Sequence, residues 1–350
     1  MLRSAQQQKL IKVALIFFIL SVLYFCLKIK TKVPVLDTLI PESDLQQLPE
    51  SDLQQLPESN QQHIPKNNSV QKLVVNEIRG EDLPEIKPFA CVRSGPFPPN
   101  DLTLMMCIKE LKVDEFISKP IFETGVFERP EVELILKLIK NYPDGTLLDI
   151  GSNIGVFSVT AAATNYRVVS VDPFKTNLAY TRMSTVLQGT QDNVRYIANT
   201  VSDKKYTLYP WYRYPNNEGG ITFLTEEETK NKPNLNIGEG VESVKFVDLL
   251  DAVHTQTVVV KIDIEGHECR TFIQYLNEPK KTKKFVPYIL MEWVHITHNR
   301  DNMCPNIQIL IQGFLDGGYF PVDLDSLKRL RIENEKSWYN VLWVHQDAIL

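Results

Sequence analysis

The sequence predicts an α/β domain built on a doubly wound, mostly parallel sheet of seven strands, and three observations predict it. First, seven short apolar runs alternate with helix-like stretches: Thr146–Ile150, Arg167–Val171, Val194–Ala198, Val258–Ile264, Tyr288–Trp293, Tyr319–Val322 and Val341–Val344. Such alternation implies parallel strands joined by crossover helices. Second, the run from Val258 to Ile262 is broken only by Lys261, as in a central strand covered on both faces. Third, Leu147 to Gly155 passes from an apolar run through Asp149 into a small-residue loop and then a helix pattern. A strand feeding such a turn lets backbone lie close to a ligand at the carboxyl ends of the strands.

The N-terminus is different material. Residues 1–9 form a short polar tail. Residues 10–27 read as a membrane-spanning signal anchor, because Val13 to Leu27 carries no charge and Lys12 can snorkel. No small-residue cleavage site follows, so the anchor is expected to stay. Residues 28–75 read as a disordered stalk in which Pro-Glu-Ser-Asp-Leu-Gln-Gln-Leu occurs at 41–48 and again at 49–56. A proline every eight residues breaks helix continuity, and the composition buries too little to fold. Residues 76–129 read as a small cap with short strands, and 130–350 as the main domain. Pro130 opens a helix at its first position, with Val132, Ile135, Leu136 and Ile139 as its apolar stripe. A hairpin is expected between Lys204 and Val247, on the rim of any site.

The net charge of −5 argues against a nucleic-acid partner, which needs clustered Lys and Arg. One sequon, Asn67-Asn68-Ser69, falls in the stalk. Beyond Cys26 in the span, Cys91, Cys107, Cys269 and Cys304 are an even number. That allows two disulfides in an oxidising compartment. Three pairings are open, 91–107 with 269–304 being a guess among them. None of the four has a C-x-x-C partner, so a zinc site is not expected.

Polar groups gather at one sheet edge from four strands. Asp149 ends the first and Asp172 the second. Asp263 and Glu265, with Lys261, share one face at the end of the fourth. The fifth ends in Glu292, with His295 beyond it. An acid at the tip of a second strand suits the grip of a ribose diol. For Lys261 and Asp263, an ion pair within the strand is the simpler reading.

With these motifs in hand, the chain resembles the FkbM-type methyltransferases over about residues 122–345. The resemblance lies in LLDIGSNIGVFSV, SVDPF, VVVKIDIEGHE and LMEWVH. It implies a Rossmann-like class I methyltransferase with S-adenosyl-L-methionine as cofactor. Carried over residue by residue, it implies that Asp149, Gly151, Asn153 and Gly155 line the methionine-and-ribose side. Asp172 takes the ribose hydroxyls, standing where the family often has glutamate. Asn199 and Ser202 border the adenine, and Asp263, Glu265 and Glu268 match the fourth-strand signature.

Methyl transfer to a hydroxyl calls for a base near the oxygen. The candidates are His295 first, then Glu265 and His267; no metal is expected. Anchor, stalk and catalytic domain suggest a type II membrane protein of the Golgi or ER with a luminal domain. The expected activity is O-methylation of a sugar hydroxyl on a glycan or glycoprotein. Two other readings remain: a non-catalytic type II protein of the same fold that acts in trafficking, and a membrane-anchored enzyme for a small molecule or lipid.

Overall fold

The computed structural model describes residues 75–349 apart from 99, 213–216, 231, 233–237, 279–281 and 300–301. The expected anchor, the stalk with its repeats, and the sequon at Asn67 lie outside the described residues. Among those described, no helix is long and apolar enough to cross a membrane.

The chain begins with β1 (Glu77–Ile78) and a hairpin of β2 (Ala90–Phe97) and β3 (Leu102–Ile108). Helices α1 (Ser118–Thr124) and α2 (Arg129–Ile139) follow, then β4 (Thr146–Ile150), α3 (Val156–Ala163), β5 (Arg167–Val171), α4 (Lys175–Val186) and β6 (Val194–Ile197). Next come β7 (Thr200–Val201), β8 (Thr207–Trp211), β9 (Thr222–Thr225), α5 (Glu226–Lys230), β10 (Val241–Val244) and α6 (Phe246–Ala252). The chain closes with β11 (Val258–Ile262), α7 (Glu268–Asn277), β12 (Tyr288–Glu292), α8 (Val294–Thr297), α9 (Ile307–Asp316), β13 (Tyr319–Val322) and β14 (Asn340–His345).

The main sheet runs β1-β6-β5-β4-β11-β12-β14-β13. All seven expected strands are in it, but it has eight strands and mixed direction rather than seven. β14 runs antiparallel to both β12 and β13, and β1 antiparallel to β6. Two physical reasons account for the difference. An apolar run carries no mark of its direction, and a two-residue strand is too short to show alternation.

The sheet is covered on both faces because successive strand residues point to opposite sides. Leu148, Val258 and Val260 pack with Phe246, Phe272 and Phe314 of α6, α7 and α9. Leu147 and Val259 pack with Ile135 of α2, Val159 of α3, Leu178 of α4 and Met106 of β3. The β2–β3 hairpin thus belongs to the core. Two disulfides are present, Cys91–Cys107 within that hairpin and Cys269–Cys304 between α7 and the chain before α9. The stretch between β6 and α6 forms a second sheet, β7-β10-β8-β9, larger than the expected hairpin.

Candidate active site

Five parallel strands point their carboxyl ends the same way, and the chain reverses there. A cavity of about 530 Å³ opens at that edge. Gly151, Asn153, Asp172, Asn199, Asp263, Glu265, His267 and His295 line it. Asp149 and Gly155 are not among its lining residues.

Asp149 is fully buried, and its Oδ2 accepts the Ser158 N–H at 3.0 Å and the Ser158 hydroxyl at 2.6 Å. It ties the end of β4 to the first turn of α3, where the helix dipole favours an acid. Gly155 has φ +87°, and an added Cβ would sit 2.3 Å from Thr181 Oγ1. Gly151 has φ +75°, and an added Cβ would sit 1.8 Å from the Asp263 carbonyl oxygen. Both glycines let neighbouring elements touch.

Asp172 is 4 % exposed. Its Oδ2 accepts the Asn153 N–H at 2.9 Å; its Oδ1 accepts the Phe174 N–H at 2.8 Å and Asn177 Nδ2 at 3.0 Å. A carboxylate has about four acceptor positions, so three are filled from within the protein. Burial pushes Asp172 up to about 6 against these hydrogen bonds and the Lys109 charge, which lower it. Asn199 is committed elsewhere: its Oδ1 accepts the Asn76 N–H at 2.7 Å and its Nδ2 donates to the Glu242 carbonyl at 3.0 Å. Phe174, Leu208, Ile221 and Phe223 form an apolar wall at this end of the cavity.

The other end is acidic. Lys261, on β11, donates to the Gly151 carbonyl at 3.2 Å and lies 3.6 Å from Asp263 Oδ2. Burial works against the ammonium, but Asp263, Asp149, Glu128 and Glu292 more than offset it and raise its pKa. The expected strand ion pair is therefore present, with Asp263 also facing the cavity. His295 Nε2 lies 3.1 Å from Glu265 Oε2 and 3.3 Å from Glu292 Oε2. Burial, then Asp263, Glu265 and Glu268, raise Glu292 well above the carboxylate range. Glu268 is fully buried and accepts the N–H groups of Ile264 at 2.6 Å and Gly266 at 2.9 Å, which shapes the turn after β11. Two sets of side chains each bring three ligand atoms within 4.8 Å of one another: Glu265, Glu292 and His295, and Asp263, Glu268 and Glu292.

His267 is 2 % exposed, and its Nε2 lies 2.6 Å from the Phe223 carbonyl. The nitrogen donates there, which leaves Nδ1 as the ring's open acceptor. Burial lowers its pKa.

Several lining residues gave no signal in the sequence. Glu128 has φ +46° at the start of α2; burial pushes it up to about 7, with Lys261 opposing. Phe116 and Tyr339 stand at the mouth. Gly219 and Gly220, from the turn before β9, lie within the stretch from Lys204 to Val247 expected on the rim. Such loop residues carry no periodicity to read. Pro130 marks a helix start in the sequence, but nothing there marks Glu128 as a cavity wall.

No family model and no curated protein matches the chain. Among solved structures it is similar to a cofactor-bound protein from MTB at TM-score 0.34 and 11% identity, over 64% of this chain and 83% of that one. It is similar to the precorrin-6y C5,15-methyltransferase of Geobacter metallireducens GS-15 at TM-score 0.32 and 12% identity, over 63% and 88%. It is also similar to the O-methyltransferase TomG of Streptomyces achromogenes, solved with SAM, at TM-score 0.34 and 10% identity, over 65% and 85%. Scores and identities this low carry no weight for the chemistry, which rests on the cavity.

Proposed function

We propose that the chain is an S-adenosylmethionine-dependent O-methyltransferase acting on a sugar hydroxyl of a glycan. The observation that carries this reading is one cavity with two unlike ends. At one end Asp172 keeps about one acceptor position beside the apolar wall of Phe174 and Phe223. At the other, His295 and Glu265 meet at 3.1 Å.

The residues fit a nucleoside donor. A ribose hydroxyl donates to Asp172, and Phe174 and Phe223, packed on each other at 5.6 Å, form an apolar wall on which a purine can lie. Asp263 and Glu265 at the far end suit a positively charged sulfur. When bound, the donor supplies an electrophilic methyl carbon. The His295 imidazole, oriented by Glu265 at Nε2, takes the acceptor's hydroxyl proton on its other nitrogen as the oxygen bonds to that carbon and the carbon–sulfur bond releases its electron pair to sulfur. Glu265 steadies the resulting imidazolium. Alignment of oxygen, carbon and sulfur is chiefly a matter of positioning.

Two disulfides support a luminal domain, since such bonds persist in oxidising compartments. With the anchor read from the sequence of residues 10–27, this supports the reading of a type II protein of the Golgi or ER. The FkbM resemblance points the same way. The test is incubation with labelled S-adenosylmethionine and a panel of glycans. Label should move to a saccharide, and a panel with no labelled member removes the glycan assignment.

A further inference from the structure

Tyr339 is 67% exposed and Phe116 is 57% exposed, yet both line the cavity. Both stand on fixed backbone. The Tyr339 carbonyl accepts the N–H of Trp293 at 2.8 Å and of Val294 at 3.0 Å. These residues open α8, which carries His295, so the backbone that bears the ring is fixed relative to the candidate base. Phe116 sits in a loop tied by the buried Asp114. Its Oδ2 accepts the Ser118 N–H at 3.1 Å and hydroxyl at 2.6 Å, and its Oδ1 accepts the Ile117 N–H at 3.3 Å.

Size and charge narrow what these rings meet. Pockets for one drug-sized ligand run to roughly 300–1,000 Å³. A cavity of about 530 Å³ is thus filled by the donor and the reacting group of the acceptor. The rest of the acceptor then lies outside, against the rings at the mouth. Asp263 and Glu265 line the cavity, and among the described residues Lys261 is the only Lys or Arg that does. That ammonium is already taken up by Gly151 and Asp263. An anionic acceptor is repelled.

We propose that the mouth receives the terminal ring of an uncharged saccharide chain, stacked on Tyr339 with Phe116 as a second contact. The rest of that chain stays in solvent. A pyranose presents a face of C–H groups that packs on an aromatic ring while its hydroxyls remain free to reach His295. The inference rests on the methyl-transfer reading of the same site and adds acceptor class, presentation and two specificity residues.

The test is steady-state kinetics of the full-length protein with an uncharged oligosaccharide, its sulfated counterpart and the free monosaccharide. Donor affinity is read separately by calorimetry. Tyr339→Ala should raise KM for the oligosaccharide by about fivefold to tenfold, the equivalent of one lost ring stack. Its kcat and donor affinity should hold, and Tyr339→Phe should behave as wild type. Phe116→Ala should move KM in the same direction by less. The oligosaccharide should outperform the sulfated chain, and the monosaccharide, which carries the whole stacking ring, should be used about as well as the oligosaccharide. An unchanged KM in Tyr339→Ala, or equal use of the sulfated chain, overturns this inference and leaves methyl transfer standing. A wild-type protein that binds no donor overturns both.

Discussion

Nε2 of His295 lies 3.1 Å from Oε2 of Glu265, and this contact joins α8 beyond β12 to the turn after β11 above the cavity. Both side chains are mostly buried, at 20% and 17% exposure, but each retains a face toward the ligand space. A base needs that combination: a partner that steadies its charged form and an open path to the proton it takes. His295→Ala should lower turnover by about 10²–10⁴-fold, the usual worth of a general base. Donor affinity should stay unchanged in calorimetry. The account also expects turnover to survive a chelator. Loss on chelation with recovery on added Mg²⁺ or Mn²⁺ would recast Glu265, Glu292 and His295 as ligands.

The Asp172 carboxyl gives donor binding a pH dependence. Its pKa stands at about 6, above the ordinary 3.8, because it is buried. Folding therefore favours the protonated form, and Asp172 costs stability increasingly as pH rises from about 4 to about 6. Donor binding has the opposite sign. A ribose hydroxyl donates to the ionised carboxylate, so affinity should strengthen as pH rises through about 6. Asp172→Asn keeps the shape and should flatten the profile. Glu128, at about 7, titrates nearby. A profile unchanged in Asp172→Asn would assign the dependence to Glu128 and remove Asp172 from the donor contact.

Gly151 is set by packing as much as by ligand approach. An alanine there would place Cβ 1.8 Å from the Asp263 carbonyl oxygen at φ +75°. Backbone on both sides has to shift, so Gly151→Ala should destabilise by more than about 1 kcal/mol. Thermal unfolding measures this. An unchanged midpoint would show that the ends of β4 and β11 do not touch as described.

Cys269–Cys304 closes a separation of 35 residues beside the turn that holds Glu265 and Glu268. In the chain-entropy account such a loop is worth roughly 4 kcal/mol. Reductant, or the double change Cys269→Ser with Cys304→Ser, should lower the melting temperature clearly. No change under reduction would mean that the bond is not formed in the protein.

The strands were readable because each is a short apolar run that ends at a turn residue, as Leu147-Leu148-Asp149-Ile150-Gly151 does. Direction was not readable: β14 resembles its neighbours in sequence but runs against them. The acidic strand ends were legible as a group, and the cavity gathers Asp172, Asp263, Glu265 and His295. Their individual partners were hidden because they are distant in sequence. Asn199 is held by Asn76, 123 residues away, and His267 by Phe223, 44 residues away. Asp149 is directed into α3 by Ser158, a local partner that an acid-before-glycine motif does not reveal. Tyr339 and Glu128 lie in loops, where only folding shows what they face.

The central claim is that a sulfonium nucleoside occupies the cavity between Asp172 and His295, and calorimetric titration of the purified protein with S-adenosylmethionine tests it most directly. The account predicts saturable one-to-one binding that weakens in Asp172→Ala and persists in His295→Ala. A folded wild-type protein that takes up no S-adenosylmethionine, or binds it equally well in Asp172→Ala, would contradict it.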